Sequence, residues 1–406
     1  MHPDLGVGGA ERLVVDAAVG LQKRGYRVTV CTSRHDAARC FSETSDGTLT
    51  VRVHGDWLPR HVCGSMHLLC AWLRHLWLFA VLLTAYSFDV AVLDQISLAV
   101  PLLRWCKRVP VLFYCHFPDK LLSVDRQSLL KRLYRAPIDW LEERTTAAAD
   151  VIFANSEFTR RTVAREFRSI DAARVHVLYP GVNLARYDAP VTDANVRAAV
   201  SRAVADAKRD GAPLLLSINR FERKKQLQVA IDALAWLVAN TKQHRRARLL
   251  MCGGYDDAVA ENVEHYGELE QRAKQLGVDE RVTFVRSFSD DERAFLLQNA
   301  SLLLYTPPNE HFGIVPLEAM YSRVPVVACR SGGPTETVVD GQTGVLCDEC
   351  SGDAFGRAVR DVLDGGDAKR RAMGAAGRKR VEATFTLDAF TGILQRHIEA
   401  QLNRAR

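Results

Sequence analysis

The chain has 406 residues, 48% of them hydrophobic and 25% charged, with a net charge of +6. That length predicts two or three domains with sizeable cores, and the composition excludes a disordered or fibrous chain. The positive balance is small and spread along the chain, so it does not point to nucleic acid; it suits an anionic small molecule or an anionic membrane surface.

The chain opens on a glycine-rich turn, Met1 to Glu11, followed by an amphipathic helix from Arg12 to Gly25 that ends in glycine. Such a turn ordinarily follows a buried strand, and nothing precedes it here, so the first strand is predicted to be missing. Gly8 and Gly9 at a helix N-terminus suit an anion, because unbonded amides and the helix dipole meet there. Strands are then predicted at Arg27 to Ser33, Leu49 to His54, Phe88 to Asp94, Val109 to His116, Asp150 to Asn155 and Val175 to Tyr179. Their alternation with helices implies parallel sheets covered on both faces.

One segment departs from this rhythm. Met66 to Tyr86 is nearly long enough to span a bilayer, yet it carries Arg74 and His75 at its middle. Trp72, Trp77 and Tyr86 suit a headgroup region. The preferred reading is a helix in or against one leaflet, with Arg74 and His75 reaching interfacial phosphates; a core helix and a true span are the alternatives. His116 falls at a strand's carboxyl end ahead of Phe117-Pro118, facing a crevice. A long helix from Lys131 is expected to kink or break near Pro137, and Asn155-Ser156 caps the next one.

A polar, alanine-rich run from Asp188 to Gly211 reads as a linker into a second domain. Pro213 to Asn219 is a buried strand ending at Arg220-Phe-Glu-Arg-Lys-Lys225. Clustered cations at a helix start are unfavourable with respect to the dipole, so an anion is their natural partner. Arg220 offers bidentate geometry and Lys225 a point charge, which together suit a diphosphate. Strands follow at Ala247 to Cys252, Arg281 to Val285, Ser301 to Tyr305, Val324 to Cys329 and Gly344 to Cys347, and the tail from Ser351 is helical.

The stretch Tyr305 to Val339 holds two strand–loop–helix units, and ligands bind at such carboxyl ends in an open parallel sheet. Glu310 is predicted on a loop beside Gly313, and Glu318 inside a short helix opened by Pro316. The next strand ends at Ser331-Gly-Gly-Pro334, with Pro334 opening another helix. Of the ten cysteines, Cys31, Cys115, Cys252 and Cys329 fall in apolar patterns and read as buried thiols. Cys347 and Cys350 form a lone C-x-x-C, so no metal site is assigned, and no D-x-D occurs that would call for a metal on a diphosphate.

Glu310 and Glu318 in the spacing E-x7-E, followed by G-G-P, resemble the nucleotide-sugar site of retaining glycosyltransferases of family 4. The likeness extends to H-P-D-L-G-V-G-G-A-E-R-L-V, F-Y-C-H-F-P-D, K-R-L-Y-R-A-P-I-D-W, S-I-N-R-F-E-R-K-K and N-E-H-F-G-I-V-P-L-E-A-M-Y. Together these resemble the alpha-1,3/1,6-mannosyltransferases of dolichol-linked oligosaccharide assembly. The resemblance implies the α/β architecture called GT-B, two Rossmann-like doubly wound domains facing across a crevice. Residues 1–185 would bind the acceptor and 186–385 the nucleotide sugar, with 386–406 returning to the first domain. It implies GDP-mannose as donor, a dolichyl-diphosphate-linked Man-GlcNAc2 as acceptor, no cofactor, and a place on the cytosolic face of the endoplasmic reticulum membrane, with other mannosyltransferases of the pathway as candidate partners. Arg220, Lys225, Glu310 and His116 would be catalytic; Glu318, Gly332, Gly333, Gly313, Gly8 and Gly9 would bind the donor. The alternatives are a catalytically idle membrane scaffold of this fold and a soluble sugar-nucleotide synthase with a small acceptor.

Overall fold

The computed structural model describes every residue except 7, 38–39, 62–65, 123–128, 185–186, 193–194 and 406. It divides into two units, Met1–Gly181 with Leu387–Arg406, and Val182–Thr386.

In the first unit β1 (His2–Leu5), β2 (Thr29–His35) and β3 (Thr50–Val53) form one parallel set. β4 (Ala91–Asp94), β5 (Val111–Cys115), β6 (Val151–Ala154) and β7 (Val175–Val177) form another. The strand expected to be missing is therefore present, as residues His2–Leu5. Beyond its pairing with β2, Met1 joins it to β4: its ammonium donates to the Val92 carbonyl at 2.7 Å, and the Asp94 amide donates to the Met1 carbonyl at 3.4 Å. The order becomes β3-β2-β1-β4-β5-β6-β7, a doubly wound sheet. Pro3 and Asp4 hid this strand, since neither favours a ladder; burial of His2 and Leu5 overrides their propensity. At the amino ends of β2 and β4, under Met1, lies a cavity of about 750 Å³ walled mainly by apolar side chains such as Leu13, Ala17, Val30 and Leu394.

The helix His67–Ala85 settles the reading of the apolar segment. Cys70, Arg74, His75, Leu78 and Leu82 are buried, and Leu78 and Leu82 pack with Cys31 of β2. Arg74 and His75 are therefore not headgroup ligands. Arg74 donates to Asp4 at 2.7 Å, and burial pushes the His75 imidazole down to about 3, which keeps it neutral. The opposite face exposes Leu69, Leu73 and Trp77. One face is thus core and the other an apolar surface.

The helix Leu129–Ala147 runs through Pro137 without interruption, and Ser156 caps Glu157–Glu166 by accepting from the Thr159 amide at 3.0 Å. The last helix, Leu387–Ala405, packs Phe390, Leu394 and Ile398 with Leu13, Leu21, Tyr114 and Phe153 of the same unit.

The second unit has one six-stranded parallel sheet of β8 (Leu214–Ile218), β9 (Arg248–Gly253), β10 (Val282–Arg286), β11 (Leu302–Tyr305), β12 (Val326–Cys329) and β13 (Gly344–Cys347). Their order is β10-β9-β8-β11-β12-β13. The order reverses between β8 and β11, and both strands are buried on both faces. The loops after these two strands are the ones that can build a ligand site. The expected linker is partly structure: Ala198–Arg209 is a helix whose Val200, Val204 and Ala207 are buried at helical spacing. Alanine and charge gave it a solvated look, although alanine is the best helix former.

Candidate functional site

At the switch point, β8 delivers Asn219 and the run Arg220 to Lys225, whose last three residues form a 3₁₀ turn. Their charges separate in space. Arg223 reaches Glu264 at 2.9 Å and Glu268 at 2.6 Å, and Lys224 reaches Glu222 at 3.0 Å. Arg220 is 63% exposed and touches Glu222 at 2.7 Å. Lys225 alone turns inward, where its ammonium pairs with Glu310. The Thr306 hydroxyl, just past β11, donates to the Lys225 carbonyl at 2.8 Å and ties the two loops together.

Glu310 is set by backbone. The Asn309 amide donates to the Ser331 hydroxyl at 3.0 Å, and the Gly333 amide donates to the Glu310 carbonyl at 2.7 Å. Gly332 has φ +65°, and a Cβ there would strike the Glu310 backbone; one at Gly333 would strike that of Phe312. These glycines let the loop after β12 close on the loop after β11. The Gly333 amide is spent on that closure. Burial alone would raise the Glu310 carboxyl, but the Lys225 ammonium holds it below its ordinary value.

Gly313, at φ +83°, precedes the helix Ile314–Tyr321, which carries Glu318. Glu318 is buried and accepts from Arg293 at 2.8 Å, while the Arg293 guanidinium lies 4.9 Å from the centre of the Phe288 ring. Burial opposes the charge on Arg293, yet Glu318 holds its proton more tightly than usual. Sequence reasoning missed Arg293. It sits in Asp290-Asp-Glu-Arg293, which reads as a solvated helix start, and only the capping box of Ser289 and Glu292 fixes which residue turns inward.

His116 follows β5 in the first unit. Its Nε2 lies 3.1 Å from Asp94, and the Asn155 amide group donates to its carbonyl at 3.0 Å. Gly8 is extended and Gly9 begins the helix Gly9–Lys23. A Cβ on Gly8 would meet the Glu11 carboxylate, which lies beside the helix start. The structure thus brings Lys225, Glu310, Gly332 and Gly333 together, with Glu318 on the next helix, and leaves Arg220 at the open edge. His116, Gly8 and Gly9 belong to the other unit.

Residues 203–380 match the family model of glycosyl transferases group 1, and residues 7–186 that of glycosyltransferase family 4. The chain is 45% identical over 405 residues to the human alpha-1,3/1,6-mannosyltransferase ALG2, covering 98% of this chain and 94% of that protein. The chain belongs to the alpha-1,3/1,6-mannosyltransferase family. It is a glycosyltransferase, and its likeness to the enzyme of that name from Rhizomucor pusillus is also 45%, over 97% of this chain and 90% of the relative. The sucrose-phosphate synthase of Thermosynechococcus elongatus has the same fold, with a TM-score of 0.77 at 21% identity over 100% of this chain and 99% of that one. The fold of this mannosyltransferase-family chain is GT-B, with two Rossmann-like units.

Proposed function

We propose that this chain transfers mannose from GDP-mannose, with retention of configuration, to a dolichyl-diphosphate-linked Man-GlcNAc2 acceptor. The products carry alpha-1,3 and alpha-1,6 linkages and feed the N-glycan precursor at the cytosolic face of the endoplasmic reticulum. Family membership supports the mannosyl chemistry, and the Lys225–Glu310 pair at the switch point is the observation that carries the assignment of roles. As the bond from mannose C1 to the diphosphate breaks, negative charge gathers on the departing oxygens. Lys225 supplies a nearly desolvated cation, and Arg220, exposed and held by one short contact, can move onto the same phosphates. The acceptor hydroxyl bonds to C1 on the face that GDP leaves, and its proton passes to the departing diphosphate. Glu310 orients the sugar, and Glu318 accepts from the ribose hydroxyls. His116 serves a sugar hydroxyl.

The exposed apolar face of Leu69, Leu73 and Trp77 supports work at a membrane surface. The test is a donor screen with a lipid-linked chitobiosyl-mannose acceptor, with product linkages read by exomannosidase digestion. Transfer from GDP-mannose alone is expected; transfer from another nucleotide sugar, or none, overturns the reading.

A further inference from the structure

His2, the first residue of β1, meets Asp94 at the carboxyl end of β4 and His116 just past the carboxyl end of β5. Asp94 and His2 are buried, and the His116 side chain is 23% exposed. His2 Nδ1 lies 2.8 and 2.9 Å from the two Asp94 oxygens, and His2 Nε2 lies 3.0 Å from the Asp4 carbonyl oxygen. A carboxylate and a carbonyl only accept, so both nitrogens of His2 carry protons and the ring is an imidazolium. Burial opposes that charge, but Asp94 raises the ring to about 10, and Glu11 stands 3.9 Å away with the same sign of effect. Of the other titratable neighbours, burial holds the Met1 ammonium and His75 towards neutrality, and it keeps the Tyr114 phenol, whose ring centre lies 4.8 Å from that of His116, protonated.

His116 Nε2 faces the same carboxylate at 3.1 Å, so that nitrogen also carries its proton. A lone Asp94 anion would draw a second proton onto His116. His2 already offsets the charge of Asp94, so the contact with Asp94 fixes where the His116 ring carries its proton, at Nε2, and leaves Nδ1 facing away from the carboxylate. No residue among those described bonds to that nitrogen.

We infer that Asp94, charge-balanced by His2, is a positioning residue that fixes His116 as the Nε2–H tautomer and makes its Nδ1 a hydrogen-bond acceptor for a sugar or acceptor hydroxyl. This rests on the placing of His116 at the transfer site under the proposed function. The device resembles the role of a buried aspartate in hydrolytic triads, where the wrong tautomer is costly although the geometry survives.

The test has a spectroscopic and a kinetic arm. Long-range ¹H–¹⁵N spectra of histidine-labelled full-length protein should find His116 bare at Nδ1. In Asp94→Asn the amide can donate to Nε2, and the proton should move to Nδ1. In the kinetic arm, His116→Asn retains an acceptor oxygen near the Nδ1 position, whereas His116→Gln places its polar atoms near Nε2. Gln should lose about 10- to 100-fold in turnover, the scale of one lost buried hydrogen bond, and Asn should lose much less. Asp94→Asn should cost a similar factor in kcat with the KM for GDP-mannose unchanged, and should cost nothing further in the His116→Asn background. A His116 imidazolium or Nδ1–H tautomer in the wild type overturns the inference, as does equal activity of the Asn and Gln variants. If Asp94→Asn does not fold, those two observations still decide it. If the tautomer is as stated but the wild type transfers no mannose, the proposed function falls and the tautomer device stands.

Discussion

Replacing Lys225 by methionine keeps the apolar stem and removes the ammonium that pairs with Glu310. The Lys225 and Glu310 side chains are 14% and 19% exposed, so the orphaned carboxylate has little water to turn to. Breaking a fully buried pair costs about 3–5 kcal/mol; with part of Glu310 exposed, about 2–3 kcal/mol is the expected loss at pH 7. Glu310→Gln in the same protein should restore most of it, giving a coupling of about 1–3 kcal/mol in the double-mutant cycle. The pH dependence has a definite sign. In the wild type Glu310 lies below its ordinary 4.5, so its contribution is present above that pH and is lost as pH falls through the folded value. In Lys225→Met burial loses its main opponent, leaving only the weaker pull of His311 and Tyr305, so the carboxyl rises and protonation on acidification relieves the penalty. The gap between wild type and variant should therefore narrow from pH 7 towards pH 4. Because the chain has two units, a single unfolding free energy is poorly defined. Hydrogen exchange of peptides from β8 and β11 reads the right unit. Coupling below about 0.5 kcal/mol, the limit for independent sites, or a gap that does not change with pH, would refute the reasoning. Turnover should fall by about 10²–10³ in the same variant.

Glu318→Ala should weaken GDP and GDP-mannose together in calorimetry, because the ribose is common to both, and Arg293→Leu should do so more mildly by releasing Glu318; an unchanged GDP affinity in both variants contradicts the assignment. Leu69→Glu, Leu73→Glu and Trp77→Glu together should release the protein from anionic liposomes with its melting temperature nearly unchanged, whereas Leu82→Glu should unfold the first unit, since that side chain is buried. Continued liposome binding of the triple variant places the docking surface elsewhere. The His2 ring rises from 6.5 to about 10 on folding, so its stabilisation is complete below pH 6.5 and lost as pH climbs to about 10. The melting difference between wild type and His2→Gln should shrink across that window, and a constant difference would mean that His2 is not charged in the fold.

Much of the fold was legible because strand and helix are written in local pattern. The runs at β8, β11 and β12 are continuous and apolar because they are buried on both faces, and Ser156 was readable as a cap from its own position. The alternation of these elements carried the doubly wound sheets, and the E-x7-E and G-G-P spacing located the loops of the candidate site. β1 was not legible, since Pro3 and Asp4 argue against a strand and only its seat between β2 and β4 enforces one. Arg74 and His75 looked like interfacial groups because an isolated helix offers them nothing else. The sheet supplies Asp4 for one and dry burial for the other. The partners in the Arg293–Glu318, His2–Asp94 and Asp94–His116 contacts lie 22 to 92 residues apart in sequence. Local propensity and spacing report which residues belong to one turn or one face. Which charge meets which across such separations depends on strand order and loop closure, and there the free energy of burying an ion, favourable only with a partner, makes the choice.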